Sequence, residues 1–176
     1  MAAHPLLRNG AMRDLTLSAL FLLMFQLSSP QFQQGGPLPP ELAYNRSGCT
    51  GRNISPALAW SGTPPAAKSL ALVLFDPDAG HGRGWTHWVA YSIDPSTTSL
   101  RPGAPAAKGG KNSWGDTIYD GPCPPPGDPP HHYVFTLYAV DLSPDALKAG
   151  LDRDGLLAAI QGHVLATAEL TGMFGR

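Results

Sequence analysis

The sequence predicts a mostly β protein, a β-rich α+β domain, and three observations support this prediction. Glycine and proline are abundant, with 20 and 19 of 176 residues, and they fall between apolar runs rather than in one low-complexity tract. A loop-rich β protein explains this spacing better than disorder does. Three apolar runs have the composition of strands, and the two helical patterns both come late in the chain.

The N-terminal segment has features of both an extension and a signal peptide. Residues 15–25 are apolar and follow two arginines, as in the n- and h-regions of a signal peptide. This run is too short to span a membrane, no small-x-small cleavage site follows it, and residues 25–28 alternate like a first strand. We therefore expect an extension over residues 1–23, with Met24 as a candidate start, one domain over residues 24–176, and a cytoplasmic location. A signal-like segment on a periplasmic or secreted protein is the alternative.

Three strands are predicted in the middle of the chain. Residues 69–75 form a continuous apolar run, which is typical of a strand buried on both faces. Residues 85–93 and 133–141 are rich in aromatic and β-branched residues. Residues 80–84 are expected to be a flexible glycine loop. Residues 94–130 contain many glycines and prolines, and a long irregular segment of this kind in a compact domain is more often functional than idle.

Two helices and a closing strand are predicted after the third strand. A serine followed by a proline starts the first helix, over residues 143–150, and glycine ends it. Asp152 is expected to cap the second helix. Its apolar stripe would consist of residues four positions apart: Leu156, Ile160 and Val164. Residues 167–174 are expected to close the domain as a strand.

Charge and cysteine content exclude several classes of protein. There are 12 basic and 13 acidic residues and no dense basic run, so a nucleic-acid partner is not expected. The two cysteines, Cys49 and Cys123, cannot make a disulfide framework or a structural zinc site by themselves. One bridge in an oxidising compartment and two buried thiols in a reducing one both remain open.

Three short stretches, residues 76–78, 85–88 and 121–133, carry the candidate functional groups. In an extended chain residues two apart face the same way. In three such pairs, both side chains would lie on the same side of the chain: Asp76 with Asp78, Trp85 with His87, and His131 with Tyr133. If these strand ends converge, they line a small pocket beside rigid proline backbone. His132 faces away from its neighbour and is expected on the surface, as is His81.

These residues also have structural interpretations and an enzymatic one. Asp-Pro-Asp is a common turn sequence, and His87 between two tryptophans could equally be a core histidine. Two histidines and a carboxylate match the ligands of a metal-dependent hydrolase or the groups of a His/Asp-based one. However, no HExxH, GxSxG or P-loop pattern is present. An interaction protein with a vestigial pocket is the third alternative.

The order of these motifs resembles that of the phosphatidylethanolamine-binding proteins, in particular their bacterial, Raf kinase inhibitor-like branch (YbhB/YbcL-like). The matching segments are residues 53–60 (NISPALAW), 76–79 (DPDA), 85–88 (WTHW), 121–128 (GPCPPPGD), 131–133 (HHY) and 162–166 (GHVLA). The resemblance runs from about Met24 to the C-terminus. It implies a β-sandwich of antiparallel sheets with a few peripheral helices, without a cofactor or a metal.

The resemblance also implies a pocket for phosphate-type anionic head groups. Its lining would be Asp76, His87, His131 and Tyr133, with Asp78, Trp85, Cys123 and Pro124 at the walls. The implied role is ligand binding rather than catalysis, with inhibition or scaffolding of a protein kinase or protease, and a homodimer. The sequence departs from the family at two positions. Gly80 replaces a frequent proline, and His132 replaces a common arginine, which removes a permanent positive charge from the rim.

The pocket chemistry predicts a dependence of anion binding on pH. Imidazole N–H, tyrosine O–H and backbone N–H groups can donate to an oxyanion without a fixed positive charge. A carboxylate such as Asp76 that accepts from an imidazole nitrogen fixes the tautomer and favours the doubly donating form. We therefore expect anion affinity to increase as the pH falls through the histidine range.

Overall fold

The computed structural model describes residues 24–105 and 107–176. The predicted N-terminal extension, residues 1–23, lies outside this part. The described strands are β1 (Gln26–Ser28), β2 (Gly36–Pro37), β3 (Leu58–Ser61), β4 (Ser69–Asp76), β5 (Trp85–Ile93), β6 (Ser99–Leu100), β7 (Lys108–Gly110), β8 (His131–Val140) and β9 (Val164–Phe174). The described helices are α1 (Ala79–Gly82) and α2 (Arg153–Ile160), with 3-10 turns at Pro40–Leu42 and Pro144–Ala146.

The strands form two sheets, which confirms the predicted mostly β fold. The larger sheet has the order β2-β9-β8-β4-β5-β7, and the smaller has the order β1-β3-β6. Neighbouring strands are antiparallel, apart from the two-residue β2, which runs parallel to β9. The apolar core between the sheets joins Leu27 and Trp60 of the smaller sheet to Leu72, Phe135 and Leu137 of the larger one.

The outer face of the larger sheet is also covered. Val73 and Tyr91 on this face pack with Leu156 and Ile160 of α2 in a second apolar cluster. Strand β4 is therefore buried on both faces, as its continuous apolar run predicts. Its hydrophobic side chains exclude water from the middle of the sheet, and the two polar residues of the strand, Ser69 and Asp76, are its first and last.

The pairing of the three central strands brings their functional ends together. Asp76, the last residue of β4, lies opposite Trp85, the first residue of β5. One residue earlier, Phe75 pairs with Val134 of β8. Because antiparallel neighbours alternate in direction, the end of β4 meets the beginnings of β5 and β8 at the same edge. Strand β8 begins at His131, two residues before the predicted start.

The predicted helical stripe is wrong in its last member. Asp152 caps α2 as expected, because its Oδ1 accepts the Gly155 N–H at 2.8 Å. The helix ends at Ile160, and Gly162 follows with φ of 80°. Val164 is 41% exposed and starts β9, three residues earlier than the predicted closing strand. The left-handed glycine turns the chain out of the helix before a further turn can form.

The helix predicted over residues 143–150 is only the 3-10 turn Pro144–Ala146. The backbone carbonyls that would continue it accept hydrogen bonds from elsewhere in the fold. The Lys108 ammonium donates to the carbonyls of Pro144 and Leu147, and the Tyr91 hydroxyl donates to that of Lys148. Tertiary partners have taken the place of the intrahelical bonds.

Two loops contain more structure than the sequence predicts. The glycine loop over residues 80–84 begins inside α1, where Gly80 and His81 both lie in the left-handed region with φ of 60° and 58°. The irregular segment over residues 94–130 contributes the short edge strands β6 and β7. No helix in the described part of the chain is long and apolar enough to cross a membrane.

Candidate functional site

A cavity of about 390 Å³ opens where β4 ends and β5 and β8 begin. All eight predicted site residues line it: Asp76, Asp78, Trp85, His87, Cys123, Pro124, His131 and Tyr133. The cavity is within the size range of small-molecule sites, about 300 to 1,000 Å³. The sequence motifs, although far apart in the chain, therefore share one hollow.

His131 is held at the cavity by the buried carboxylate of Asp76. Oδ2 of Asp76 lies 2.8 Å from Nδ1 of His131, and Oδ1 accepts the backbone N–H groups of Asp78 at 2.9 Å and Ala79 at 3.1 Å. Since an ionised carboxylate can only accept, Nδ1 of His131 carries a hydrogen. The other ring nitrogen, Nε2, lies 3.7 Å from Oδ2 of Asp128. Asp76 thus positions the histidine, and Nε2 remains for a ligand.

His87 is held by a backbone carbonyl. Its Nδ1 lies 2.8 Å from the carbonyl oxygen of Asp120. A carbonyl cannot donate, so Nδ1 is the donor and Nε2 of the neutral ring carries a lone pair. Burial lowers the pKa of His87, and the hydrogen bond to Asp120 opposes this shift only in part. His87 is therefore a neutral acceptor at neutral pH and becomes a donor toward the cavity only when it is protonated.

Sequence reasoning missed Asp120, whose side chain organises the loop behind His87. Its carboxylate accepts from the side-chain amides of Asn53, at 3.0 Å, and Asn112, at 2.8 Å. Asn53 in turn accepts the Gly121 N–H at 2.7 Å. Asp120 is only 2% exposed, so these bonds compensate a buried charge. In the sequence, only its position just before the GPCPPPGD segment suggests a functional role for Asp120.

Two buried donors at the cavity have no hydrogen-bond partner. Across the described residues, the buried side-chain nitrogen and oxygen atoms in this state are Nε1 of Trp85 and the hydroxyl of Tyr133. Burial raises the pKa of Tyr133, and the nearby charge of Asp76 raises it further, so the hydroxyl keeps its proton. It lies beside the Asp76 carboxylate without forming a well-oriented hydrogen bond to it. Buried polar groups are normally paired, so two buried donors without a partner are unusual.

The sequence did not reveal the aromatic wall of the cavity, which is formed by Trp114 and its neighbours. Trp114 stacks on Tyr44, with ring centroids 5.2 Å apart. It also meets Trp85 at 5.1 Å and His87 at 5.4 Å in edge-on contacts. Trp114 lies in the irregular segment before β8, where no periodicity marks a functional residue.

The rim carries negative rather than positive side chains. Asp78 and Asp128 line the cavity, and no lysine or arginine is among the residues that line it. Asp78 accepts the backbone N–H of His132 at 2.7 Å, and this bond is the main cause of the lowered pKa of Asp78. His132 is exposed, as expected from strand alternation. His81 is also exposed, as expected, but it lies at the rim of the cavity.

The proline wall is fixed by a disulfide and by Arg176. Cys123 is bonded to Cys49, which decides between the two states that the sequence left open. The Arg176 guanidinium donates to the carbonyl of Pro124 at 2.6 Å and to that of Gly48 at 2.7 Å. The wall is therefore held at Cys123 by the disulfide and at Pro124 by Arg176. Within the described residues no group of three or more His, Cys, Asp or Glu side chains is placed to hold a metal ion.

The chain matches one protein family over most of its length. A family model described as phosphatidylethanolamine-binding protein matches residues 28–175. A UPF0098 protein from Methanothermobacter thermautotrophicus is 42% identical over 157 residues, covering 85% of this chain and 98% of the relative. The UPF0098 protein YbhB of Escherichia coli is 35% identical over 158 residues, covering 85% of this chain and 99% of the relative.

Solved structures agree with the sequence comparison. The crystal structure of Escherichia coli YbcL, described as a new member of the mammalian PEBP family, has a TM-score of 0.80. It is 32% identical and covers 86% of this chain and 98% of that one. A phosphatidylethanolamine-binding protein homologue from Chlamydia trachomatis has a TM-score of 0.78 at 36% identity, covering 88% of this chain and 99% of that one.

Proposed function

The chain belongs to the phosphatidylethanolamine-binding protein family, on its YbhB/YbcL-like branch, and from that premise we propose that the cavity binds a small ligand through a phosphate-type oxyanion. The residues that would contact the anion are Trp85, His87, His131 and Tyr133. Asp76 would act through His131. Asp78, Cys123 and Pro124 would form the walls.

The observation that carries this proposal is the pair of unpartnered donors, Trp85 Nε1 and the Tyr133 hydroxyl. An indole N–H can only donate, so its missing partner must be an acceptor. A buried donor without a partner destabilises the fold by about 1 to 3 kcal/mol. An oxyanion offers several acceptor atoms to one small region, and a single ligand could therefore satisfy both donors.

The charge of the ligand would be compensated by protons rather than by fixed cations. Without a lysine or arginine in the lining, histidine is the lining residue type that can become positive. Neutral His87 presents a lone pair, so it accepts a hydrogen from a singly protonated phosphate or is itself protonated when an anion binds. Both routes add one proton to the complex, which is why we expect binding to strengthen in acid.

The hydrolase alternative has less support. No serine or threonine lines the cavity, and its one cysteine, Cys123, is bonded to Cys49. A serine, threonine or free cysteine nucleophile is therefore missing from the lining. The features that are present, two unpartnered donors and a braced proline wall, support ligand binding.

The wider biological role extends the same proposal. The resemblance to Raf kinase inhibitor-like proteins supports a role of the liganded protein as an inhibitor or scaffold for a kinase or protease, and as a homodimer. A cytoplasmic location remains the prediction from the sequence. The Cys49 to Cys123 disulfide supports the periplasmic or secreted alternative, because such bonds persist mainly in oxidising compartments.

Calorimetric titration with inorganic phosphate at pH 6 tests the proposal. The wild-type protein should bind one phosphate, and Tyr133→Phe should weaken binding about tenfold, the usual effect of losing one hydrogen bond to a charged group. Tyr138→Phe is the matched control, since Tyr138 lies on the same strand but not at the cavity. Absence of phosphate binding in the wild type, or equal losses in both variants, would contradict the proposal.

A further inference from the structure

We propose that Trp114 determines which ligands the cavity accepts, by packing its indole against a flat apolar group that is attached to the oxyanion. The ligand class is then an aryl or similarly planar ester of phosphate, rather than inorganic phosphate or a small aliphatic ester. This inference rests on the proposed function and concerns the part of the ligand that the anion site does not reach.

The cavity is larger than an oxyanion alone requires. At about 390 Å³ it falls within the range of sites for small organic molecules, which is more space than an ion of five heavy atoms fills. The proposed anion-binding residues His131 and Tyr133 are buried at the strand ends. The remaining lining is largely apolar, with Trp114, Pro124 and Pro125 among its members. An organic group on the anion would therefore meet apolar walls.

Trp114 exposes apolar surface to solvent. It is 38% exposed, one of few large hydrophobic side chains in the described residues with so much surface in contact with solvent. Tyr44 stacks against it, and its indole also lines the cavity. A planar ligand would remove this apolar surface from water and gain an aromatic contact.

The segment that carries Trp114 is held by hydrogen bonds. The Trp114 backbone N–H donates to Oδ1 of Asn112 at 2.9 Å. The amide nitrogen of the same Asn112 donates to Asp120, whose carbonyl holds His87. The Trp114 backbone and the His87 ring are thus fixed relative to one another by one hydrogen-bonded network. A prearranged surface costs less entropy on binding than a mobile one.

The rim of the cavity is negatively charged. Asp78 and Asp128 line the cavity without a lysine or arginine to offset them. A second anionic group on the ligand would be repelled there. A neutral planar substituent avoids that repulsion and still contacts Trp114.

The test compares phenyl phosphate with methyl phosphate, which carry the same anion, by calorimetry at pH 6. We expect the wild-type protein to bind phenyl phosphate about tenfold more tightly, a difference typical of one aromatic contact. In Trp114→Ala this preference should shrink to about twofold or less. Trp114→Phe should keep an intermediate preference, which guards against a folding defect in the alanine variant. Ile118→Ala, at an exposed position outside the cavity lining, is the control and should keep the full preference.

The outcomes separate this inference from the proposed function. If methyl phosphate binds but the wild type shows no phenyl preference, or if Trp114→Ala retains the preference, the role of Trp114 is refuted and the anion site stands. If neither ester binds to the wild-type protein, both proposals fail together.

Discussion

Nδ1 of His131 lies 2.8 Å from Oδ2 of Asp76, and this contact joins the end of β4 to the beginning of β8. The two residues are 55 positions apart in the chain. Asp76 is 2% exposed and His131 is 6% exposed, so the contact lies below the surface of the cavity. Because the carboxylate fixes the hydrogen on Nδ1, it determines which ring nitrogen remains for a ligand.

The tautomer of His131 is therefore expected to depend on Asp76. In Asp76→Asn the new amide can still accept the Asp78 and Ala79 N–H groups through its oxygen, and its nitrogen then faces Nδ1 as a donor. The neutral ring should carry its hydrogen on Nδ1 in the wild type and on Nε2 in the variant. Nitrogen-15 NMR of the imidazole at pH 8 distinguishes the two forms. The same tautomer in both proteins would show that Asp76 does not control the ring.

Anion binding is expected to strengthen as the pH falls. Burial lowers the pKa of His87 from its ordinary value of 6.5 in the free protein, and a bound anion must raise it, because the anion stabilises the protonated ring. Affinity should therefore be constant above the pKa of the complex, increase below it, and level off below the pKa of the free protein.

Sulfate separates the histidine contribution from that of the ligand. Phosphate esters take up a proton themselves near pH 6, whereas sulfate does not in this range. Titrations of both anions between pH 5 and 8 should show increasing affinity in acid for each. A sulfate affinity that does not change with pH would exclude histidine protonation as the cause.

The Asp120 side chain is expected to stabilise the loop behind the cavity. Asp120→Ala removes the carboxylate that accepts one N–H from each of the Asn53 and Asn112 amides, which keep only longer bonds to the backbone carbonyls of Tyr119 and Ile118. We expect a loss of about 3 kcal/mol in the free energy of unfolding. Asp116→Ala is the control, an exposed carboxylate in the same segment, and should change stability by less than about 0.5 kcal/mol. Urea denaturation measures both. Similar effects of the two substitutions would refute a special role for Asp120.

The disulfide is expected to contribute to stability but little to anion affinity. The bond between Cys49 and Cys123 closes a loop with a sequence separation of 74, and its reduction should lower the free energy of unfolding by about 3 kcal/mol. The proline wall keeps the Arg176 bond to Pro124 and the bond from the Tyr44 N–H to the Pro122 carbonyl. Thermal melts with and without reductant, paired with phosphate titrations, check the two statements. A large loss of affinity without unfolding would mean that the disulfide itself shapes the site.

Much of the fold and of the pocket could be predicted from the sequence, because strand burial and side-chain direction follow from local patterns. The continuous apolar run of β4 predicts a strand buried on both faces, and alternation along β8 separates the buried His131 from the exposed His132. The motif resemblance supplied the convergence of the strand ends, which no local pattern contains.

The parts that were missed depend on contacts between distant residues. Val164 continues the spacing of a helix, but the left-handed Gly162 ends that pattern. Asp120 is an ordinary loop aspartate until Asn53 folds against it from 67 positions away. Trp114 contacts Tyr44 and His87 only when two separate loops and strand β5 come together. Periodicity and spacing carry no information about such contacts.

The most direct measurement of the central claim, that an oxyanion satisfies the buried donors of the cavity, is the indole N–H resonance of Trp85 during a phosphate titration at pH 6. The resonance is identified by its absence in Trp85→Phe, and a new hydrogen bond moves it downfield. We predict that this resonance shifts downfield and saturates, while those of the core residues Trp60 and Trp88 stay in place. A Trp85 resonance that does not move at saturating phosphate, or uniform shifts of all the indoles, would contradict the account.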